Sequence, residues 1–126
     1  MDPLEPIPLS RPTFGDEEIA ALREVLDSGW VAGQGPRGRM LEEAFSGLCG
    51  GVAAVAIANC TAALHLALLD FGIGPGDEVL VADYTYPATG HSVLYTGATP
   101  RFVDVRPDIW TIDVDAAAAA IGPRTV

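Results

Sequence analysis

Lysine is absent from this sequence: all seven basic residues are arginines, set against 17 acidic residues and a formal net charge of −10. A P-loop needs a lysine that reaches the phosphates of a nucleotide, and a Schiff base with a carbonyl cofactor needs a lysine amine. The chain therefore carries neither a P-loop nor a Schiff-base residue. Its acidic balance also has the wrong sign for nucleic-acid phosphates or an anionic membrane surface.

Cysteines and long apolar runs are scarce as well. With only Cys49 and Cys60 there is no disulfide framework, which fits a reducing compartment. The longest purely apolar run, residues 52–58, is far too short to cross a bilayer, and the N-terminal MDPLEP does not resemble a signal peptide. We expect a cytoplasmic protein with neither nucleic acid nor a membrane as partner.

Residues 1–50 read as an extended arm followed by two helices. Four prolines disfavour helix in residues 1–12. Acidic residues at 16–18 open a first helix, which Ser28 and Gly29 end, and a glycine-rich loop covers residues 30–38. Apolar residues at helical spacing predict a second helix over 40–48, ending near Gly50 and Gly51.

Residues 51–126 alternate between strand and helix patterns. The patterns predict strands at 52–58, 78–82 and 101–105, helices at 61–71, 88–96 and 113–121, and the beginning of a further strand at the C-terminus. This alternation indicates an α/β fold with a mostly parallel sheet flanked by helices. Three parallel strands with an open edge form a poor free-standing unit, so we expect the first part of a larger, truncated domain.

The segment ANCTAALHLALL, residues 58–69, places a helix directly after the first predicted strand. The free backbone N–H groups of Thr61 and Ala62, with the Thr61 hydroxyl, would make an anion site at the helix N-terminus without basic side chains. The alternative is plain N-capping by Asn59 or Thr61, which every helix start requires.

A second segment, residues 82–105, carries Tyr84 and Tyr86 just past the end of a strand. Ligands of open α/β sheets bind at this edge, and a planar cofactor ring could stack on one tyrosine. The alternative is that both rings pack beneath the following helix.

The loop at residues 28–38 matches G-x-G-x-x-G through Gly33, Gly35 and Gly38. A dinucleotide site is nevertheless excluded, since the loop joins two helices, contains Pro36 and has no acidic residue about 20 positions on. Two interpretations stay open: a substrate loop in which Trp30 contacts the ligand, and a structural connector.

His65 and His91 each lie within an apolar helical pattern. Neither has a second ligand at metal spacing, which favours packed histidines over a metal site. No Ser–His–Asp or Cys–His arrangement follows from order and spacing.

Together the stretches SGWVAGQGP, ANCTAALHLALLDFGIGPGDEVLVADYTYPAT, YTGATPRFVDVRPDIWTIDVDAA and IGPRTV resemble the DegT/DnrJ/EryC1/StrS family of sugar aminotransferases. The resemblance runs from about Ile7 to Val126. It implies the N-terminal part of the large domain of a fold-type I transferase dependent on pyridoxal 5′-phosphate (PLP). By position, it implies that Thr61 and Ala62 hold the cofactor phosphate, that Tyr86 stacks on the pyridine ring, and that Trp30 lies near the sugar-nucleotide substrate.

The resemblance also implies a homodimer in the complete enzyme, and transfer of an amino group, usually from glutamate, to a keto sugar linked to a nucleotide. In this family the Schiff-base lysine lies downstream of the stretches matched here, so the chain has no catalytic residue of its own and is not expected to react alone. Three hypotheses follow: part of such an aminotransferase or of a related dehydratase, a non-catalytic module that pairs with a lysine-bearing partner, and a Rossmann-type nucleotide-binding domain.

Overall fold

A computed structural model describes residues 7–126, which divide into two compact units between Ala56 and Ile57. The predicted boundary between the arm-and-helix segment and the α/β segment lies nearby, at residues 50 and 51. Part of the predicted extended arm, residues 1–6, lies outside the described residues; residues 7–12 contain no helix.

The N-terminal unit contains two helices, α1 (Asp16–Ser28) and α2 (Pro36–Leu48). Three acidic residues occupy the first turn of α1, where the helix dipole favours negative charge. The Gly15 N–H donates to the Glu18 carboxylate at 2.6 Å, and this hydrogen bond lowers the pKa of Glu18. Gly29 ends α1 in the left-handed conformation, as its position in the sequence predicts.

The predicted strand at residues 52–58 is wrong, because these residues adopt no strand. A strand exists only where a neighbouring strand accepts its hydrogen bonds. Among the described residues, the backbone contact made by this segment is instead a hydrogen bond from the Ala56 N–H to the Glu42 carboxylate, at 2.9 Å. The segment is also largely exposed, with Val52 60% and Val55 77% exposed, so the prediction of a buried strand fails in burial as well as in pairing.

The C-terminal unit contains the predicted βαβ pattern. Its elements are α3 (Cys60–Asp70), β1 (Glu78–Ala82), α4 (Pro87–Thr96), β2 (Thr99–Val103) and α5 (Val114–Ala120). β1 and β2 pair in parallel, with Glu78 opposite Thr99 and Ala82 opposite Val103. β2 begins and ends two residues earlier than the pattern predicted. The strand expected at the C-terminus is present as a single parallel bridge between Glu78 and Thr125.

The core of this unit lies between α4 and the strand pair. Val81 of β1, Val93 of α4 and Ala98 are buried, and Leu68, Ile73 and Val79 pack against them. Parallel strands require a crossover connection, and α4 supplies it by covering one face of the pair. The crossover brings the C-terminal ends of β1 and β2 to the same edge.

Glu78 is a buried carboxylate at the start of β1. Arg101 approaches it at 3.3 Å and Arg124 at 3.6 Å, and the Thr125 hydroxyl lies 3.5 Å away. Buried charge is tolerated where such partners replace water. This cluster fixes the N-terminal end of the strand pair, opposite the edge where Tyr84 and Tyr86 lie.

Gly38 in α2 lies close to the backbone of Gly33 in the glycine-rich loop. A Cβ atom at this position would overlap the carbonyl oxygen of Gly33, whereas a Cβ at Gly33 meets nothing within 4 Å. We expect Gly38→Ala to destabilise the full-length protein by about 1–3 kcal/mol because the backbone must shift. Gly33→Ala is the matched control and should stay within about 0.5 kcal/mol of wild type in a urea titration. Equal stability of the two variants would show that this approach is not tight.

Candidate functional site: the N-terminus of helix α3

Helix α3 begins with a side-chain cap. Asn59 has extended backbone, and its side-chain oxygen accepts the Ala62 N–H at 2.9 Å. The Ala63 N–H donates to the Asn59 carbonyl at 3.2 Å. The capping alternative for this segment is thus correct for Ala62, whose amide already has a partner.

Thr61 retains the open donors of the helix start. Among the described residues, neither its backbone N–H nor its hydroxyl has a hydrogen-bond partner. The helix dipole adds partial positive charge at the same point. Thr61 therefore offers two donors to an anion, while Ala62 can join them only if the Asn59 side chain releases its amide.

An open cavity of about 430 Å³ lies against this helix start, and its lining residues are Asn59, Thr61, Ala62, His65 and Tyr95. None of them is acidic. A donor set of amide, hydroxyl and helix dipole with no carboxylate suits a phosphate. The residues present therefore fit the phosphate of PLP.

His65 and Tyr95 line this cavity but were not among the predicted site residues. Their rings meet edge to face, with centroids 5.6 Å apart, and Tyr95 also lies 6.2 Å from His91. Helical spacing from Thr61 places His65 on the same face, one turn along, so the sequence held a signal for it. No comparable signal existed for Tyr95, which reaches the cavity from α4.

The two tyrosines at the strand edge have different surroundings. The Tyr84 ring packs on Trp110, with centroids 5.0 Å apart and planes inclined by 48°. Tyr86 is the N-cap residue of α4, and its side chain is 79% exposed. Tyr86 is not one of the residues that line the cavity at Thr61. Its ring is accessible to a planar ligand, whereas the Tyr84 ring already has an aromatic neighbour.

Trp30 belongs to the N-terminal unit. Its N–H donates to the Ser28 hydroxyl at 3.1 Å, and the side chain is 60% exposed. It lines a cavity of about 190 Å³ together with residues of α1 and α2, among them Arg37, which is ion-paired with Glu24. An exposed indole beside a paired guanidinium is compatible with both sequence interpretations of the loop.

Neither histidine takes part in a group of three His, Cys, Asp or Glu side chains suited to a metal within residues 7–126. In the same part of the chain, no helix combines the length and the apolar character needed to cross a bilayer.

Family membership follows from comparison with known proteins. Residues 12–126 match the model of the DegT/DnrJ/EryC1/StrS aminotransferase family. The chain belongs to this family. The spore coat polysaccharide biosynthesis protein SpsC of Bacillus subtilis (strain 168) is 44% identical over 119 residues, which make up 94% of this chain and 30% of SpsC.

Solved structures agree with this assignment and with the fold class predicted from the sequence. DesV from S. venezuelae is 43% identical, with a TM-score of 0.81 over 86% of this chain and 29% of DesV. Spr1654 from Streptococcus pneumoniae is 37% identical, with a TM-score of 0.87 over 94% of this chain and 30% of Spr1654. Spr1654 has been solved in PLP and PMP forms, so the cofactor expected from the sequence is that of a solved family member. The chain spans about 30% of the length of these relatives.

The turn that carries Trp110 contains a two-point ion pair. The Arg106 guanidinium donates to both oxygens of Asp108, at 3.1 and 2.7 Å, and it lowers the pKa of that carboxyl. Because the pKa is lower in the folded protein than in the unfolded chain, the pair stabilises the fold above the ordinary carboxyl pKa. The stabilisation is lost as pH falls through the lowered, folded-state value.

We expect Arg106→Gln to raise the pKa of Asp108 toward its ordinary value, since the first cause of the lowering is removed. An NMR titration of the carboxyl carbons of full-length protein measures this shift. Arg39→Gln removes an arginine that forms no ion pair within the described residues, and it serves as the control of equal charge. A pKa of Asp108 that moves equally in both variants would attribute the lowering to net charge and contradict the pairing.

Proposed function

We propose that this chain forms the phosphate-holding and ring-stacking part of the PLP site of a sugar aminotransferase. The observation that carries the proposal is the start of α3, where Thr61 presents a free amide and hydroxyl to a cavity without carboxylates. When bound, PLP acts as an electron sink for bonds at the carbon that bears the amino group. The residues of this chain bind and orient that group.

Thr61 and Ala62 are the proposed phosphate ligands. The Thr61 N–H and hydroxyl donate to phosphate oxygens, and the dipole of α3 adds to their attraction. The Ala62 N–H donates to the phosphate once it has given up its hydrogen bond to the Asn59 side chain. Because no basic side chain lines the cavity apart from His65, backbone and hydroxyl donors carry most of the phosphate recognition.

Tyr86 is the proposed stacking residue for the pyridine ring. Its exposed ring at the C-terminal edge of the strand pair is free to take a parallel aromatic partner. Stacking restrains the ring against rotation and keeps water from one of its faces.

Trp30 is the proposed contact for the substrate, a keto sugar linked to a nucleotide, with glutamate as amino donor. An exposed indole can pack on the apolar face of a sugar or stack on a base. We further propose that the active protein is a cytoplasmic homodimer.

The absence of lysine limits which roles at the cofactor this chain can supply. None of the 126 residues can supply the amine that holds the cofactor covalently or the lysine that moves protons at its carbon. The same absence favours a second candidate function, a non-catalytic module that binds PLP phosphate beside a lysine-bearing polypeptide. Borohydride reduction in the presence of PLP, followed by mass spectrometry, separates the two. Under the first proposal, reduction fixes the cofactor to a lysine in a polypeptide continuous with these residues, and under the second to a lysine in a separate partner.

The phosphate assignment is tested by comparing PLP with pyridoxal, which has the same ring without the phosphate. In the full-length protein we expect Thr61→Val to weaken PLP binding by about tenfold, since one hydrogen bond to a charged group is lost. Its affinity for pyridoxal should not change. Tyr86→Ala should weaken both ligands, because the ring is common to them. Fluorescence titration gives the dissociation constants of wild type and of both variants for the two ligands.

Thr13→Val is the matched control, since Thr13 is an exposed threonine of the N-terminal unit. It should bind both ligands as wild type does. If Thr61→Val affected PLP and pyridoxal equally, Thr61 would not contact the phosphate. If wild-type protein bound neither ligand, the PLP function itself would be refuted.

A further inference from the structure

Among the described residues, Trp110 is the only residue other than glycine with a left-handed backbone conformation, with φ of 59°. This region is sterically unfavourable for a bulky side chain and is ordinarily taken by glycine or asparagine. A tryptophan is retained in such a conformation only where the surrounding structure imposes it, and such positions cluster at functional sites. A tryptophan at this position therefore requires a structural explanation.

The turn around Trp110 imposes the backbone conformation. The Trp110 N–H donates to the Arg106 carbonyl at 2.8 Å, and the Arg106 N–H donates to the Thr111 carbonyl at 2.8 Å. Val105 and Ile112 close the turn with an antiparallel bridge. These contacts explain the positive φ of Trp110. They do not explain why the residue is tryptophan, since glycine would adopt the same φ with less strain.

The side chain is accounted for by its contact with Tyr84. The two rings lie 5.0 Å apart in a tilted arrangement, within the range of favourable aromatic pairs. Tyr84 is two residues from Tyr86, and both follow β1 directly. The strained turn thus places one aromatic ring against the segment that carries the proposed stacking residue.

Other contacts hold the same segment on either side of Tyr84. The Asp83 N–H donates to the Val103 carbonyl at 3.0 Å, and the hydroxyls of Thr85 and Thr89 lie 2.9 Å apart. Of the three tyrosines, all of which lie in the described residues, Tyr84 and Tyr95 have aromatic neighbours and Tyr86 has none. The backbone around Tyr86 is fixed while its ring is left free for a ligand.

We infer that Trp110 is a positioning residue: by packing on Tyr84 it holds the segment 83–87 so that the Tyr86 ring lies against the PLP ring. This inference rests on the proposed function, in which Tyr86 stacks on the cofactor. Trp110 acts through Tyr84 and touches neither cofactor nor substrate. Its strained backbone is maintained for this contact.

The test separates positioning from stability in the full-length protein. Trp110→Gly and Trp110→Asn remove the ring and relieve the backbone strain, so Tm should stay at the wild-type value or rise. The same variants should weaken PLP binding about three- to tenfold and reduce the visible circular dichroism of bound PLP, which reports ring orientation. Trp110→Phe keeps an aromatic ring and should restore both.

A double-mutant cycle shows whether Trp110 acts through Tyr84. Tyr84→Ala should reproduce the loss in PLP affinity, and the double variant should lose no more than either single one. Ile109→Ala, on the same turn and also exposed, is the control and should behave as wild type.

Two results would overturn the inference without refuting the proposed function. One is wild-type affinity and circular dichroism in Trp110→Gly, which would leave the PLP function intact and remove the role of Trp110. The other is additive losses in the cycle, which would show that Trp110 does not act through Tyr84. Wild-type protein that fails to bind PLP would refute the proposed function and this inference with it.

Discussion

Parallel pairing of β1 with β2 is the constraint from which the arrangement of the C-terminal unit follows. Parallel neighbours cannot be joined by a tight turn, so α4 must cross one face of the pair. Val93 meets Val81 in the core on that face. Gly90 allows α4 to approach β2, because a Cβ there would lie 3.3 Å from the Phe102 ring. The crossover fixes where α4 begins, and therefore where Tyr86 lies.

The same pairing separates two chemical environments along the strands. At the N-terminal end, Glu78 is held by Arg101 and Arg124 in a structural charge cluster. The C-terminal end carries the exposed rings of Tyr84 and Tyr86, and the ion pair in the turn that follows β2, Arg106 with Asp108, is exposed rather than buried. Thr61 offers a different kind of contact, because helix dipole and free donors attract an anion without a basic side chain. The proposed contacts to the phosphate and to the ring of the cofactor therefore lie on different elements of one unit.

The accuracy of the sequence predictions depends on whether the deciding interactions are local. The starts of α3 and α5 were predicted within one residue because capping acts within a few residues, as at Asn59 and at Asp113, whose carboxylate accepts two N–H groups of α5. Helix α2, which has no side-chain cap, begins at Pro36, four residues before the predicted start. The bounds of β2 differ from the prediction because they depend on its register with β1, which is a long-range property. Residues 52–58 form no strand because no neighbouring strand pairs with them. The position of His65 beside the cavity could have been predicted, because it lies four residues after Thr61 on the same helix. The contacts of Tyr95 with His65 and of Tyr84 with Trp110 could not have been predicted in this way, since each joins residues 26 or more positions apart.

The most direct test of the account is a crystal structure of the full-length protein with PLP. We expect the cofactor phosphate at the start of α3, hydrogen-bonded to the Thr61 amide and hydroxyl, with the pyridine ring against Tyr86. A phosphate bound elsewhere, with Thr61 and its cavity covered by protein side chains, would contradict the assignment of this helix start as the cofactor site.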